Sequence, residues 1–344
     1  MDASSAAVAV PRPTSKTEQI WIRHAREFTS AKFRKLSYEN RVRRFLHLST
    51  ATGKSGRLLK AMPCKLLQIV PLAISCALPS AATASTCVWK ITSPNGGSLY
   101  LGGSVHALRS TDYPLPPAYN TALDASSHLV FEDDPKSSSA GTKALLRAGT
   151  YSKGDTLKNH VDPRTYNYIR RFFSLVNVRE DEFATYRPWL INILLSSPSS
   201  EHSQLGVERY LERRAKGSKS ISGLESAREH NAFFVDLNDR EAEALLLILF
   251  IEAGQGDTDQ GSLIRAWRHG DAEAVHGMLR DEFRDFPSLG RRLIDVRNRN
   301  WIPRIEGYLR SGKTYFVVVG AGHMGGPNGL LAMLRARGYK IEQL

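Results

Sequence analysis

The stretch Tyr315-Phe316-Val317-Val318-Val319-Gly320-Ala321-Gly322-His323 decides the fold predicted for this chain. Its first five residues are all apolar, which predicts a strand buried on both faces, as in the middle of a parallel sheet. The glycines that follow allow the backbone to leave the strand sharply, so that His323 turns back over the sheet edge. Helical spacing over 329–337 and a last strand over 339–342 complete the order of a crossover unit.

The same order of strand, glycine and histidine occurs earlier, in Ser98-Leu99-Tyr100-Leu101-Gly102-Gly103-Ser104-Val105-His106. This strand follows Val88–Ile91 and a Pro-Asn-Gly-Gly turn at 94–97, a pattern that predicts a β-hairpin. A third apolar run, His128–Phe131, leads directly into Glu132. Three predicted strands therefore each end in a side chain that can bind a metal or transfer a proton.

Helical spacing dominates the rest of the chain. It is present over residues 163–176, 182–195 and 204–214 and over most of 229–308. The predicted fold class is therefore α/β, with a mixed, mostly parallel central sheet flanked by many helices. We expect residues 85–344 to form a single domain.

The carboxyl ends of parallel strands lie along one edge of a sheet, where open α/β sheets place their ligands. We expect His106, Glu132 and His323 to meet there, with both histidines on turns outside the core. Two imidazoles and a carboxylate suit a divalent metal with open coordination positions. Glu132 would act as a ligand or as a general base on bound water, and the sequence does not separate these roles. Asp133 and Asp134 are expected only to cap the next turn.

Other residues near the predicted strand ends are candidates either to support the metal ligands or to contact the substrate. Glu225 ends a short predicted strand, and it is either a second carboxylate of the site or a solvated residue that opens the next helix. Arg297 and Asn298 either hold an anionic group at the sheet edge or solvate a helix face. Gly103 and Gly320 are candidates for close backbone contact. The chain contains neither H-E-x-x-H nor G-x-S-x-G, so zincin and serine-hydrolase chemistry lack support.

The segment 62–84 has the order of a secretory signal peptide: a basic start, an apolar run and the ending Ala-Thr-Ala. Cleavage there would leave Ser85 as the first mature residue and place the protein in the periplasm or outside the cell. The apolar run is shorter than the about 20 residues of a membrane-spanning helix, so we expect no stable span after cleavage. Lipid attachment through Cys76 is less favoured, because the usual leucine three positions upstream is missing.

Residues 1–61 are Arg-rich and show no core-forming period. They are interpreted either as an extension that is not translated or as a disordered basic tail. Residues 1–84 hold 14 of the 47 Lys and Arg but only 4 of the 34 Asp and Glu. The nearly neutral remainder gives no electrostatic case for a nucleic-acid partner. Of the three cysteines only Cys87 lies beyond residue 84, which excludes an intramolecular disulfide there.

Several of these motifs resemble the TraB/GumN family, which is similar to the Tiki metalloproteases. The resemblance covers nearly all of residues 88–344 and rests on the segments Val88–Ile91, Leu101–His106, Tyr113–Pro116, Val130–Glu132, Gly223–Glu225, Arg297–Asn298, Val318–His323, Gly329–Leu331 and Arg337–Tyr339.

The resemblance implies a metal-dependent hydrolase in which His106, Glu132 and His323 carry the metal. Tiki-like members are described as peptidases that use manganese or cobalt, and zinc is a third candidate. We therefore expect a secreted or periplasmic hydrolase that acts on a peptide or another small envelope substrate, and hydrolysis of an ester or glycan is kept as an option. The alternative is a non-catalytic metal- or ligand-binding envelope protein associated with exopolysaccharide production. The sequence sets neither the metal nor the oligomeric state.

Overall fold

The computed structural model describes residues 85–106, 108–134, 138–175, 177–196, 205–255 and 257–344. The predictions for residues 1–61, for the signal segment 62–84 and for Cys76 lie outside these ranges. Cys87, the cysteine within them, is a buried free thiol. Among the described helices, none is both long and apolar enough to cross a membrane.

Six strands form one sheet, in the spatial order β4-β3-β5-β2-β1-β6. Their bounds are β1 Val88–Thr92, β2 Ser98–Ser104, β3 His128–Asp133, β4 Ser220–Glu225, β5 Tyr315–Gly320 and β6 Lys340–Gln343. β2, β5, β3 and β4 are parallel to one another, while β1 is antiparallel to both β2 and β6. The predicted α/β class, with a mixed and mostly parallel sheet, is confirmed.

The central position of β5 follows from its apolar sequence. Tyr315–Val319 are all buried, and the strand pairs in parallel with β2 on one side and with β3 on the other. β1 and β2 form the predicted hairpin. The chain after β5 also makes the predicted crossover, but β6 does not lie beside β5. It passes beyond β2 and pairs with the outer edge of β1, so the parallel core gains an antiparallel border.

Helices surround this sheet. Their bounds are α1 Pro117–Asp124, α2 Ser138–Ala148, α3 Pro163–Ser174, α4 Glu180–Phe183, α5 Pro188–Ser196, α6 Val207–Ala215, α7 Ala227–Val235, α8 Asp239–Gln255, α9 Asp257–Arg268, α10 Ala272–Glu282, α11 Pro287–Gly290, α12 Arg297–Arg310 and α13 Leu330–Arg335. Short 3-10 turns occupy Ser110–Asp112, Leu157–Asn159 and Ala321–His323.

The single helix predicted over 182–195 is wrong, because α4 and α5 are separate helices. The backbone between them pairs with another segment: Tyr151 N–H donates to Thr185 O, and Arg187 N–H donates to Gly149 O. These bonds remove groups that a continuous helix would use. Pro188 then starts α5, in the first-turn position that proline favours.

One helical stretch delivers two of the candidate site residues to the sheet edge. α11 continues into a π-helical segment, Arg291–Val296, which leads directly into α12. π-Helical turns are rare and frequently occur at functional sites, because they shift the face on which the following residues lie. Here the residues that follow are Arg297 and Asn298, both buried.

Apolar side chains from the sheet and its covering helices form the largest core cluster. Two smaller clusters join the helices away from the sheet, one around Phe173, Phe183 and Leu246 and one around Trp189, Leu245 and Leu289. The strand ends that carry the candidate residues therefore rest on the main core, which fixes their backbone positions.

Close approach of β4 to the end of β3 provides a test of this arrangement. A Cβ at Gly223 would lie 2.3 Å from Asp134 N and 2.4 Å from Asp133 C. Backbone cannot yield as a side chain does, so we expect Gly223→Ala to lower the free energy of unfolding by about 1–3 kcal/mol. Chemical denaturation of the purified protein measures this loss.

The matched control is Gly307→Ala, because Gly307 lies inside α12 and its Cβ would enter open space. Alanine there should raise the free energy of unfolding by about 0.5–1 kcal/mol, since glycine is the poorer helix former. Equal stability of the two variants would contradict the close strand approach.

Candidate functional site

The carboxyl ends of the four parallel strands bring the candidate residues to one edge of the sheet. Ser104, at the end of β2, is opposite Gly320, at the end of β5. On the other side, Asp133 of β3 is opposite Glu225 of β4. His106 follows β2, and His323 ends the 3-10 turn that follows β5.

The carboxylate of Glu132 is bound through both oxygens. Its Oε1 accepts a hydrogen bond from Gly320 N–H at 2.6 Å. Its Oε2 accepts from Arg297 Nη2 at 2.7 Å. His323 Nε2 lies 3.7 Å from Glu132 Oε1. The structure thus brings Glu132 and His323 together, as the sequence predicted, and adds Arg297 as a charged partner.

Arg297 also binds the second carboxylate of the site. Its Nε and Nη2 donate to the two oxygens of Glu225, each at 2.9 Å, and Trp301 Nε1 donates to Glu225 Oε1 at 2.8 Å. His230 Nδ1 lies 3.4 Å from Glu225 Oε2. Glu225 is therefore part of a buried network, and the interpretation that it is a solvated residue opening the next helix is wrong.

Arg297 does not solvate a helix face, because its side chain is buried between the two carboxylates. Its guanidinium also stacks over the ring of Trp301 at 4.7 Å and faces Phe233 at 5.3 Å. A guanidinium with these partners acts as a fixed internal counter-ion. The hypothesis that it holds an anionic substrate group gains no support from this geometry.

The tautomer of His323 is set by Asn298. The amide nitrogen of Asn298 donates to the carbonyls of His323 and Asn328, at 3.2 Å and 2.8 Å. Its oxygen is therefore the acceptor for His323 Nδ1–H at 2.7 Å. Nε2 of the neutral ring then carries the lone pair, and this is the atom that faces Glu132. Asn298 thus orients the histidine, and both ends of its amide are engaged by the protein itself.

His323 is buried against Trp301, with ring centroids 4.5 Å apart. The expectation that both histidines lie outside the core is therefore wrong for His323. Burial lowers the pKa of His323 to about 4, although the Glu132 carboxylate opposes that shift. The imidazole is neutral at physiological pH, which is the form that binds metals.

Burial by itself would raise the pKa of the Glu132 carboxyl. The charge of Arg297, the charge of His106, the hydrogen bond from Gly320 and, when the ring is protonated, the charge of His323 outweigh it and lower the pKa well below the usual range. Glu132 is consequently ionised at any pH at which the protein is used. A carboxylate with this low basicity is better suited to binding a cation than to taking a proton from water.

His106 differs from His323 in its exposure and partner. Three-quarters of its side-chain surface is exposed, and its Nδ1 lies 3.0 Å from Glu208 Oε1. The Glu208 carboxylate raises the pKa of His106 to about 9. His106 is near enough to Glu132 and His323 to influence their pKa values, so it belongs to the same edge of the sheet.

The two candidate glycines have different surroundings. The N–H of Gly320 is part of the site through its bond to Glu132. Gly103 lies under the site, where its carbonyl accepts from Trp267 Nε1 at 2.8 Å and from the hydroxyl of Tyr119. A Cβ on Gly103 would lie 2.4 Å from Cys87 Sγ, so this glycine permits close packing beneath the strand ends.

Residues 320–325 also match G-x-G-x-x-G, a pattern of dinucleotide-binding turns. In those turns the free backbone N–H groups and the start of a helix bind the phosphates. Here the N–H of Gly320 already donates to a carboxylate, and the residues form a 3-10 turn that ends at His323. A carboxylate in the position of the phosphate disfavours nucleotide binding.

The donor set fits a divalent cation in its chemistry. His323 offers a neutral nitrogen lone pair and Glu132 an ionised oxygen, 3.7 Å apart. Within the described ranges, however, no group of three or more His, Cys, Asp or Glu side chains is arranged to hold a metal ion. Two of the three predicted ligands therefore converge, while the third is turned to Glu208.

Sequence reasoning missed Glu208 and Trp301. Trp301 lies one helical turn after Arg297, so its place on the same face of α12 follows from the spacing. Glu208 gave no comparable signal. It is the second residue of α6, and its contact with β2 depends on how that helix docks.

Replacing Arg297 tests the buried charge network. Arg297→Met leaves Glu132 and Glu225 without their shared cation, and we expect it to lower the free energy of unfolding by about 3–5 kcal/mol at pH 7. Urea denaturation measures the loss. Arg299→Met, at an exposed position of the same helix, is the control and should change stability by less than about 0.5 kcal/mol. A small effect of Arg297→Met would contradict the network.

The pKa of His323 predicts how stability depends on pH in metal-free protein. Because the folded pKa of about 4 lies below the unfolded value of about 6.5, the unfolded chain binds more protons between these values. The contribution of His323 to the free energy of unfolding should therefore be fully present above about pH 6.5. It should fall by up to about 3 kcal/mol as the pH falls to about 4.

Denaturation curves recorded with a chelator present measure this dependence. His323→Gln removes the titrating group, so its curve should be flatter between about pH 6.5 and 4.5, above the range in which unfolded carboxyl groups titrate. The same slope in both proteins would show that His323 is not the group responsible.

Comparison with known proteins identifies the family of this chain. No curated protein and no solved structure matches the chain. A protein-family model matches residues 87–343, which span all six strands and both histidine turns. On this match, the chain belongs to the TraB/PrgY/gumN family.

Proposed function

We propose that the protein is a divalent-metal-dependent hydrolase whose site lies at the carboxyl edge of the parallel strands. The observation that carries the proposal is the pair formed by His323 Nε2 and Glu132 Oε1. Two groups that both present lone pairs, 3.7 Å apart in a buried position, repel each other unless a cation or a proton lies between them. Family membership is consistent with this function but does not by itself support any substrate.

His323, Glu132 and His106 would hold the metal. When bound, a divalent ion lowers the pKa of a coordinated water and polarises a carbonyl group. The remaining work falls to the chain itself: Asn298 keeps the His323 lone pair directed at the site, and Arg297 with Gly320 N–H keeps Glu132 ionised and in place. These bonds are of the kind by which outer partners orient metal ligands in proteins.

A peptide is the substrate class that we propose first, in the periplasm or outside the cell. The signal-like order of residues 62–84 motivates the location, and the resemblance to Tiki-like peptidases motivates the substrate. With Glu132 held at low basicity by Arg297, we assign it to metal binding before proton transfer. Manganese, cobalt and zinc are the ions to test, because imidazole and carboxylate ligands suit all three.

A non-catalytic metal- or ligand-binding envelope protein is the second candidate. Both oxygens of Glu132 already accept hydrogen bonds, and His106 is engaged by Glu208. A carboxylate oxygen has room for a second partner, but each existing bond weakens it as a metal ligand. A weak site that binds a metal without turnover would have this form.

A metal-supplemented assay tests the proposal on mature protein that begins at Ser85. Hydrolysis of a mixed peptide library should require manganese, cobalt or zinc and stop when the ion is chelated. His106→Ala should abolish turnover without loss of the fold, because the side chain is exposed. His269→Ala is the matched control, since His269 is an exposed histidine whose Nδ1 bonds the carbonyl of Arg265, and it should retain full activity.

Glu132→Gln separates the two roles of the carboxylate. A ligand role predicts that metal affinity, measured by calorimetry, falls together with turnover. A base role predicts that affinity largely survives while turnover falls by roughly 10²–10⁴. Metal binding without turnover of any peptide would favour the non-catalytic candidate. Full activity and unchanged metal affinity in Glu132→Gln would contradict the site as a whole.

A further inference from the structure

The two histidines of the Gly-x-x-His turns are presented in the same way by different helices. In each ring, Nδ1 is bound to a side-chain oxygen near the start of a helix. For His323 the acceptor is Asn298 of α12, at 2.7 Å, and for His106 the partner is Glu208 of α6, at 3.0 Å. In each ring this contact engages Nδ1, so Nε2 is the nitrogen that a metal would bind, in the case of His106 by displacing the Nε2 proton.

We infer that Glu208 is a positioning residue for His106, and that by holding Nδ1 it makes Nε2 the nitrogen offered to a metal. The inference rests on the proposed metal-dependent function and extends it to a residue outside the predicted ligand set. Glu208 would not touch the metal or the substrate. It would act through the orientation and tautomer of His106.

The carboxylate of Glu208 is held far more firmly than that of an ordinary surface glutamate. Its Oε1 accepts a hydrogen bond from Ser104 Oγ at 2.5 Å, and Ser104 is buried at the end of β2. The same oxygen lies against His106 Nδ1. Only 24% of the Glu208 side-chain surface is exposed. Because the bond to Ser104 already fixes the carboxylate, little further entropy is lost when it binds the imidazole.

Backbone contacts fix the same pair from a second direction. Val207 N–H donates to Val105 O at 3.2 Å, so the first turn of α6 is bonded to the loop that carries His106. Gly206 approaches this loop so closely that a Cβ there would lie 2.5 Å from His106 O. The second position of a helix also favours a negative charge, which supports an ionised Glu208.

An ionised carboxylate only accepts hydrogen bonds, so Nδ1 of His106 must be the donor. The nitrogen that gives a lone pair to a metal is then Nε2. A carboxylate, histidine and metal in this order is a recurrent arrangement, and loss of the outer carboxylate typically costs about 10–100-fold in metal affinity. An exposed ion pair usually contributes little to stability. The additional contacts from Ser104 and α6 therefore favour a positioning role for Glu208.

Titration of the intact mature protein with Co²⁺ tests the inference. We expect Glu208→Ala to weaken binding by about 10–100-fold and Glu208→Gln to fall between it and the wild type, because the amide oxygen still accepts from Nδ1. Glu212→Gln is the matched control: Glu212 lies one turn later on α6 and pairs with Arg209 at 2.8 Å. Wild-type affinity in Glu208→Ala would overturn the inference.

A spectroscopic measurement distinguishes positioning from a purely structural role. In the Co²⁺-loaded protein the proton NMR spectrum should contain two exchangeable, strongly shifted imidazole N–H signals, one held by Asn298 and one by Glu208. Glu208→Ala should lose one of them through exchange with water, since His106 is exposed, while Glu212→Gln keeps both. Two unchanged signals in folded Glu208→Ala would overturn the inference even if that variant were less stable.

Failure of the proposed function gives a different result. In metal-free protein the hydrogen-bonded N–H of His106 should appear in the wild type and disappear in Glu208→Ala. Suppose that the wild type shows this signal but binds no Co²⁺, Mn²⁺ or Zn²⁺. The contact between His106 and Glu208 then exists without any metal binding, and both the proposed function and the positioning role are overturned. If the wild type binds metal but lacks the signal, the inference fails and the proposed function stands.

Discussion

The buried ion pair between Arg297 and the carboxylates of Glu132 and Glu225 is the interaction on which the rest of the site depends. The two acids end neighbouring parallel strands, and without a shared cation they would repel each other at a distance set by the strand spacing. Arg297 reaches them from α12 and binds both at 2.7–2.9 Å. One side chain thus joins β3, β4 and a helix, and the orientation of that helix also places Asn298 and Trp301.

The desolvation of the three buried charges explains why additional polar and aromatic groups surround them. Burial of three charges is expensive unless each is hydrogen-bonded as well as paired. Trp301 Nε1 and Gly320 N–H supply further bonds to the carboxylates, and two aromatic rings face the guanidinium. The π-helical segment before α12 contributes to the same network, because it shifts the helix face on which Arg297 and Asn298 lie. These contacts restrain the side chains of Glu132 and His323, so the position of one relative to the other is well defined.

His323 and His106 both lie near this cluster, but the two histidines have different properties. His323 is buried and neutral, whereas His106 is exposed and held by a carboxylate. Both imidazoles are nevertheless held through Nδ1, His323 by Asn298 and His106 by Glu208. The edge of the sheet therefore combines a buried half, made by Glu132 and His323, with a half open to solvent, made by His106 and Glu208.

Much of the fold was predictable from the sequence, because apolar runs and glycines act locally. The run Tyr315–Val319, apolar throughout and followed by glycines, favours a central strand, and those glycines permit the turn that carries His323. The strand ends of β2, β3 and β4 followed from the same reasoning, and parallel pairing then brings Glu132, Glu225 and His323 to one edge. The break between α4 and α5 had one local signal, Pro188, which the helical spacing over 182–195 obscured, while the backbone pairing with residues 149–151 is not visible in the sequence.

The sequence by itself determined which side chains end the strands and therefore which groups face the same edge. Tertiary structure alone decided what each of them binds. Whether Arg297 faces solvent or two carboxylates depends on how α12 docks against β3 and β4, and the partnership of Glu208 with His106 depends on α6 resting against the loop after β2. The positions of strands and turns along the chain are set by local chemistry, which a sequence displays, whereas the placement of β6 beside β1 is not. Contacts between distant segments are set by the docking of whole helices, which no short stretch of sequence encodes.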